Sequence, residues 1–262
     1  RLVIDSGLAK KAGYDPRRGI NTLLTEKISK ASAKQRSGRA GRTSPGVCLR
    51  LWSEADHAKR EKEEKPEVHR LDLSETLLSL IAAGHDPQEF AWFDPPARES
   101  ISRAEVLLEE LGAFQRDSRE ITSLGKILAT LPAHPRHARV MVQAKANGCP
   151  QTGALAIALT QTRSILTGNA KELMGNDLSN PDELRSDFIP SIRAWELASE
   201  RNFDLGFCRE WGIHSARARE VGKVRNQLLR SMSLEHEPSE SWSPENLARS
   251  LLTGYPEQVA RK

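Results

Sequence analysis

Three arginines recur at every third position in a short glycine-containing segment. The segment reads Q-R-S-G-R-A-G-R over residues 35–42, with Gly38 before Arg39 and Gly41 before Arg42. A guanidinium stays charged at any physiological pH and offers a planar fork of donors that matches phosphate oxygens. Residues three apart lie on one side of a helix, and glycine leaves room for a large anion. The pattern predicts a helical comb of arginines facing phosphate. A solvated basic helix is the alternative, although glycine would only weaken it.

A second group of donors falls on one face of a predicted helix late in the chain. Its members stand at positions i, i+4, i+7 and i+11: Arg219, Lys223, Asn226 and Arg230. Valine and leucine occupy the opposite side, so one face packs while the other offers donors without an acid. Such a face suits a sugar-phosphate backbone. An ordinary solvated basic face is the alternative.

The elements around the arginine segment read as the end of an α/β domain. Residues 2–4 predict a short buried strand, and residues 47–52 alternate as a second strand does. Between them, two extended stretches at 8–14 and 20–28 flank D-P-R-R-G. Proline and glycine there predict a β-hairpin with Arg17 and Arg18 at its basic tip, a plain surface turn being the alternative. The mixed-charge run at 56–65 predicts a linker or a solvated helix.

Composition narrows the class of protein. Residues 1–60 hold 14 Lys/Arg against 5 Asp/Glu, a balance of +9, so the remainder carries −5 of the total of +4. This asymmetry favours a polyanionic ligand near the front of the chain. No apolar run approaches about 18 residues, so no membrane span is predicted. Three scattered cysteines favour a reducing cytoplasm over disulfides or zinc. An opening Arg1 in place of Met leads us to expect part of a longer protein.

The arginine segment resembles motif VI of superfamily 2 helicases in the form of DEAH-box RNA helicases, and the wording is closest to the bacterial HrpB type. The matching segments are R-L-V-I-D-S-G-L-A-K (1–10), Y-D-P-R-R-G-I (14–20), I-S-K-A-S-A-K-Q-R (28–36), P-G-V-C-L-R-L-W-S-E-A (45–55), T-S-L-G-K-I-L-A-T-L-P-A-H-P-R-H-A (122–138) and L-L-T-G-Y-P-E-Q-V-A-R (251–261). The resemblance implies hydrolysis of ATP with Mg²⁺, held mainly by an upstream RecA-like domain of the same protein. It also implies 3′-to-5′ movement on single-stranded RNA.

The resemblance assigns roles within the arginine segment. Arg39 and Arg42 correspond to arginines that contact phosphate, and Gln35 to a residue near the γ-phosphate and its attacking water. The glycines between them, Gly38 and Gly41, would let the backbone approach the nucleotide. Arg36 is a weaker candidate, with packing against acidic neighbours as the alternative. Arg17 and Arg18 correspond to the tip of a hairpin that abuts the nucleic acid and helps to separate or guide strands. The basic helix face corresponds to part of the helical domain that lines the RNA channel.

The resemblance also implies the fold and the domains. The class is mixed α/β and mainly α: the end of a RecA-like α/β domain, then a winged helix and a helical HA2 or ratchet bundle. The expected boundaries are 1–57 for the RecA-like part, 58–121 for the winged helix and 122–233 for the helical domain. Residues 234–262 are expected to form a linker and the start of a C-terminal region.

Two ATP-binding motifs of helicases are absent from these residues, so alternatives to a helicase function stay open. There is no G-x-x-x-x-G-K-[ST] phosphate loop and no Asp-Glu-x-His box, so we expect the chain alone to be inactive. A non-catalytic winged-helix and helical module that binds nucleic acid or a partner is one alternative. A helicase-derived scaffold without catalysis is another. His134 and His137 are spaced like a metal pair, but no ligand cluster accompanies them, so a structural role and no metal site are predicted.

Overall fold

The computed structural model describes residues 1–15, 19–167, 186, 188–234 and 242–258. The described chain is mixed α/β and predominantly helical, with small two-stranded sheets. It divides into two compact units. Unit 1 comprises Arg1–Leu73 and Gln88–Ala104, and unit 2 comprises Ser74–Pro87 and Glu105–Lys262.

Unit 1 contains a pair of parallel strands. β1 (Leu2–Asp5) pairs with β4 (Val47–Arg50), and helix α1 (Lys30–Gly38) packs against β1. Because the strands are in register, alternate residues from both share one face. That face is apolar and exposed, with side chains 51–66% accessible: Leu2, Ile4, Val47 and Leu49. The positions of the predicted strands are confirmed, but the prediction that residues 2–4 are buried is wrong, because no described element covers this face.

The predicted β-hairpin is present in unit 1. β2 (Leu8–Asp15) and β3 (Ile20–Lys27) pair antiparallel from Leu8 opposite Lys27 to Asp15 opposite Ile20. Gly19 precedes β3 with φ of 64°, a left-handed conformation that glycine adopts without strain. The tip arginines, Arg17 and Arg18, lie outside the described residues.

The mixed-charge run at 56–65 is mostly exposed and begins in a helix, as predicted, but it is not a free linker. A short helix, α2 (Glu54–Ala58), leads into it, and the residues beyond follow the base of the hairpin and the start of α1. Ion pairs join Lys27 to Asp56 and Lys11 to Glu64. The carbonyl oxygen of Glu61 accepts from the Lys30 N–H at 2.8 Å. Two acidic side chains of the run therefore have partners on the hairpin, and its backbone also bonds the start of α1.

Further helices and a second hairpin follow: α3 (Ser74–Ala82), α4 (Arg98–Glu110), β5 (Phe114–Gln115), β6 (Glu120–Ile121) and α5 (Ser123–Ala129). The two short strands, β5 and β6, pair antiparallel. In unit 2, Gly125 lets α5 lie directly on the backbone of Ala113, where a methyl group would overlap the carbonyl oxygen.

The rest of unit 2 is a helical bundle: α6 (Pro135–Ala146), α7 (Pro150–Gln161), α8 (Phe188–Glu200), α9 (Leu205–Glu210), α10 (Ser215–Ser231) and α11 (Pro244–Gly254). Small residues let the buried helix α7 approach its neighbours, and an alanine at Gly153 would place Cβ 2.6 Å from that of Ala144 on α6. None of the described helices combines the length and the apolar character that crossing a bilayer requires.

Helix α11 packs on α6 within this bundle, although the sequence analysis did not predict a helix there. Gly254 fits against α6 so closely that a methyl group would lie 2.5 Å from Val140 Cγ2. Arg136 of α6 is buried and donates to the Gly254 carbonyl oxygen at 2.8 Å. It also pairs with Glu257 at 2.6 Å, so the chain beyond α11 is held on the bundle.

Candidate functional site

Only the first half of the arginine segment (residues 35–42) is helical. Helix α1 ends at Gly38, Arg39 is its C-cap residue, and Arg42 lies in the turn that follows. The prediction of a comb along a single helix face is therefore wrong. Two glycines within four residues, with Ser44 and Pro45 after them, give the chain too little helix propensity to continue. Only Arg36 lies on the helix proper, and the other two arginines project from its end and the loop.

Gln35, Arg39 and Arg42 present free side chains. All three are exposed. Within the described part of the chain, no side-chain hydrogen bond or ion pair involves any of them. Two of them are permanent cations, and the third carries an amide donor and acceptor. The group can therefore bind an anionic oxygen cluster without first breaking an internal contact.

Arg36 has a different role from its neighbours. Its Nη1 donates to Asp5 Oδ1 at 2.9 Å and to the Leu8 carbonyl oxygen at 3.1 Å. Asp5 is almost wholly buried and ends β1. The alternative of packing against an acidic neighbour thus describes this arginine. It fastens α1 to β1 and is not available to a ligand in this state.

The glycines of the loop differ in what surrounds them. A Cβ at Gly38 or Gly41 would meet no atom within 4 Å, so the space beside both is open. A Cβ at Gly46 would overlap the Ala40 carbonyl oxygen and lie 2.9 Å from that of Arg1. Gly46 therefore allows the end of the arginine loop to lie against β1. In the sequence, only the Pro45-Gly46 pair indicates a turn here, and it does not indicate that Gly46 positions the arginine loop.

The start of α1 is held by side chains from the charged run. The Ser29 hydroxyl caps the helix through the Ser32 N–H at 3.1 Å, and the Ser29 N–H donates to Glu64 at 2.8 Å. Burial opposes the charged form of Glu64, but hydrogen bonds from Lys11 and Ser29 lower its pKa. Hydrogen bonds from Lys27 and, more weakly, from Arg60 lower the pKa of Asp56. Both carboxylates are therefore held ionised beside α1.

The predicted basic face lies on α10 in unit 2. Its four members are exposed: Arg219, Lys223, Asn226 and Arg230. The opposite face is buried through Val221 and Leu228. Gly222 lies against the ring of Trp195, whose Nε1 donates to the Ala218 carbonyl oxygen at 2.8 Å. The apolar and donor faces are thus separated as the sequence predicts.

The donors of this face are not equivalent. Arg219 donates to the Phe203 carbonyl oxygen at 2.9 Å, and Asn226 Oδ1 accepts from Arg225 at 3.1 Å. Lys223 and Arg230 make no side-chain hydrogen bond or ion pair within the described residues. These two cations are therefore the members most available to a polyanion. The face belongs to unit 2 and the arginine segment to unit 1.

The paired histidines of α6 are engaged inside unit 2. His134 contacts the Ser74 hydroxyl at 3.2 Å, and His137 contacts the Gln161 amide at 3.1 Å. Burial, with the nearby charges of His134 and Arg136, lowers the pKa of His137 to about 3. His137 is therefore neutral at physiological pH and is part of the packing between α6 and α7.

Proteins of one class, the ATP-dependent RNA helicases, match this chain over 99–100% of its length. The chain is 31% identical over 283 residues to ATP-dependent RNA helicase HrpA of Escherichia coli (strain K12), covering 100% of this chain and 21% of the relative. It is 31% identical over 269 residues to the pre-mRNA-splicing factor ATP-dependent RNA helicase prp22 of Schizosaccharomyces pombe, covering 99% and 23%.

A third relative has the same name as the first. The chain is 30% identical over 280 residues to the ATP-dependent RNA helicase HrpA homolog of Haemophilus influenzae, covering 100% of this chain and 21% of the relative. The chain thus spans only 21–23% of the length of these relatives. No family model matches the chain. The comparisons support the helicase superfamily that the arginine segment predicts.

Proposed function

We propose that this chain is a segment of a DEAH-box ATP-dependent RNA helicase of the HrpB type. It carries the end of the second RecA-like domain (1–57), a winged helix (58–121), a helical HA2 or ratchet domain (122–233) and the start of a C-terminal region (234–262). The whole protein couples hydrolysis of ATP to 3′-to-5′ movement along single-stranded RNA. Support for the HrpB type comes from the wording of the matching segments, among them 1–10 and 251–261.

The observation that carries the proposal is the free state of Arg39 and Arg42 on an anchored loop. The Asp5–Arg36 pair holds one end of the loop, and the close packing of Gly46 holds the other. Negative charge on the γ-phosphate must be neutralised during phosphoryl transfer, and a preorganised guanidinium does so without reorganising solvent. Gln35, one turn earlier, is placed to hydrogen-bond the attacking water.

Mg²⁺ accompanies ATP in this chemistry, where it neutralises phosphate charge. The described residues include no group of three or more His, Cys, Asp or Glu side chains that could hold a metal by itself, and the family resemblance assigns the nucleotide and its metal mainly to another domain. We therefore assign Mg²⁺ and most of the ATP contacts to an upstream RecA-like domain of the same protein. This chain supplies the cations that approach the γ-phosphate from the other side.

The apolar face of β1 and β4 supports the assignment of residues 1–57 to part of a larger RecA-like domain. Parallel sheets in α/β proteins are covered on both faces and contain more than two strands. Here Leu2, Ile4, Val47 and Leu49 stay exposed on one face. Helices from the rest of this RecA-like domain would cover them, and its further strands would extend the sheet at its edges. The exposed face is thus the surface against which those helices would pack.

The decisive test measures RNA-stimulated ATPase activity in the full-length parent protein. We expect Arg39→Ala or Arg42→Ala to lower kcat by about 10³-fold or more, because an arginine finger contributes about 10³–10⁵ in rate. Lys34→Ala is the matched control, since Lys34 is an exposed cation on helix α1, which leads into the arginine loop. Equal activity of the arginine variants and the control contradicts the proposal. ATPase activity of the isolated 262-residue chain that disappears in Arg39→Ala would falsify the assignment of catalysis to two domains.

A non-catalytic binding module is the second candidate, favoured by the absence of a phosphate loop from these 262 residues. Such a module would bind RNA through α10 and leave Arg39 and Arg42 without a function. The two candidates differ in one readout. In the module, Arg39→Ala leaves every activity of the parent unchanged, whereas Lys223→Glu weakens RNA binding.

A further inference from the structure

A buried polar network joins α1 to the root of the β2–β3 hairpin in unit 1. Asp5 is 4% exposed, and its Oδ1 accepts from the Gly7 N–H at 2.9 Å and from Arg36 Nη1 at 2.9 Å. The same arginine nitrogen also donates to the carbonyl oxygen of Leu8, the first residue of β2, at 3.1 Å. Asp5 Oδ1 and Arg36 Nη1 therefore connect α1, which leads into the arginine loop, to the start of the hairpin.

Arg60 also binds the root of the β2–β3 hairpin. It is 7% exposed, and its Nη1 donates to the carbonyl oxygens of Gly7 at 2.9 Å and Ile28 at 3.0 Å. Those two residues stand on either side of the hairpin, just before β2 and just after β3. Nη2 pairs with Asp56 at 2.9 Å, and the guanidinium lies 4.3 Å from the ring centroid of Trp52.

Gly7 is enclosed between these groups and cannot move alone. Its φ of 71° is left-handed, and a Cβ there would lie 2.6 Å from Arg60 Nη2 and 2.7 Å from Trp52 Cε3. Its N–H is bound to Asp5, and its carbonyl oxygen accepts from both Arg60 and the Ile28 N–H. A displacement of Asp5 or Arg60 must therefore displace the root of the hairpin.

Apolar packing could hold this junction without burying charge. Burying a guanidinium and a carboxylate costs desolvation energy that aliphatic side chains of similar volume do not incur. The charged groups add directionality, because each hydrogen bond joins one particular side-chain atom to one particular backbone atom. The network is therefore better suited to transmit position than to add stability.

We propose that Arg60 and Asp5 are positioning residues that couple movement of α1 to movement of the hairpin. The inference rests on the proposed function, in which α1 leads into the arginines at the nucleotide and the hairpin abuts RNA. When the arginine loop is drawn toward ATP, α1 pulls on Asp5 through Arg36, and Gly7 carries the displacement to both strands. By reciprocity, RNA against the hairpin favours the α1 position that suits ATP.

The test uses the full-length parent and compares Arg60→Met with Arg50→Met. Both arginines lie over the Trp52 ring, Arg50 at 5.7 Å, but only Arg60 bonds the two hairpin carbonyl oxygens. We expect Arg60→Met to reduce the RNA stimulation of kcat by at least about fivefold, the lower range of allosteric coupling. The RNA-independent rate and the RNA affinity stay within twofold of the parent, and Arg50→Met behaves as the parent in all three measurements.

Each outcome decides between coupling and simple structural support. If Arg60→Met retains full stimulation, or lowers the basal and stimulated rates by the same factor, the coupling role is wrong while the helicase proposal stands. If the unsubstituted parent shows no RNA-stimulated ATPase, both fail together. Should Arg60→Met not fold, Arg60→Lys replaces it, because lysine keeps the charge but its single ammonium cannot reproduce the planar fork. Loss of stimulation in that variant at an unchanged melting temperature supports the proposal, and full stimulation overturns it.

Discussion

Replacing Gly46 by alanine tests whether close backbone packing sets the position of the arginine loop. The added Cβ would overlap the Ala40 carbonyl oxygen, lie 2.6 Å from the carbonyl carbon and lie 2.9 Å from the Arg1 oxygen. All of these atoms are backbone, so no side-chain rotation can relieve the overlap. Either the loop from Arg39 to Gly46 or the start of β1 must shift.

The expected cost follows from the geometry. Forcing an extra methyl group into a site that cannot adapt costs about 1–3 kcal/mol. Gly41→Ala is the matched control in the same loop, because no atom lies within 4 Å of its Cβ. That variant stays within about 0.5 kcal/mol of the parent, as ordinary surface substitutions do. Alanine at position 46 is thus predicted to destabilise the chain because it overlaps backbone atoms. Alanine at position 41 meets no such overlap.

Hydrogen exchange on the isolated chain measures the difference. The Val47 N–H donates to the Arg1 carbonyl oxygen at 2.8 Å beside Gly46. We expect the segment 46–51 to exchange about 5- to 150-fold faster in Gly46→Ala, corresponding to 1–3 kcal/mol, and at the parental rate in Gly41→Ala. In the full-length parent, a loop shift of about 1 Å lowers ATPase activity by up to about 10²-fold. Equal exchange rates in Gly46→Ala and the unsubstituted chain would refute the steric argument.

Two further predictions concern unit 2. Because folding lowers the pKa of His137 from 6.5 to about 3, the unfolded chain binds the proton more readily, so stability falls as pH drops from 6.5 toward 3. In urea titrations at several pH values, His137 contributes up to about 1.4 kcal/mol per pH unit to the pH dependence of the free energy of unfolding, and His137→Gln removes this contribution. Charge reversal of Lys223 and Arg230 to Glu in the full-length protein weakens single-strand RNA binding and lowers the salt slope by about 1.4, while ATP binding survives. Reversing Lys145 and Arg249 instead makes the same change in net charge on other exposed positions and should have little effect; unchanged RNA affinity of the first pair at low salt contradicts the role of α10.

Periodicity and turn chemistry predicted several of the regular elements. The turn residues in D-P-R-R-G predicted the β2–β3 hairpin, and helical spacing predicted the separated faces of α10. Shorter or atypical elements escaped: the two-residue strand β5, and α11, which starts in a Ser/Glu/Pro-rich stretch. A two-residue strand carries no period, and α11 is stabilised mainly by docking on α6, including the bond between Arg136 and Gly254.

The types and spacing of residues 35–42 were enough to indicate phosphate chemistry, because charge and donor geometry belong to the side chains themselves. Which arginine is free could be decided only by the tertiary structure. Arg36 forms an ion pair with Asp5, 31 positions earlier in the chain, whereas Arg39 and Arg42 stay exposed. Arg60 stands in a run that reads as solvated, yet it is buried against carbonyl oxygens 53 and 32 positions away. Local sequence encodes what a group can bind, but burial and partnership depend on residues that only folding brings together.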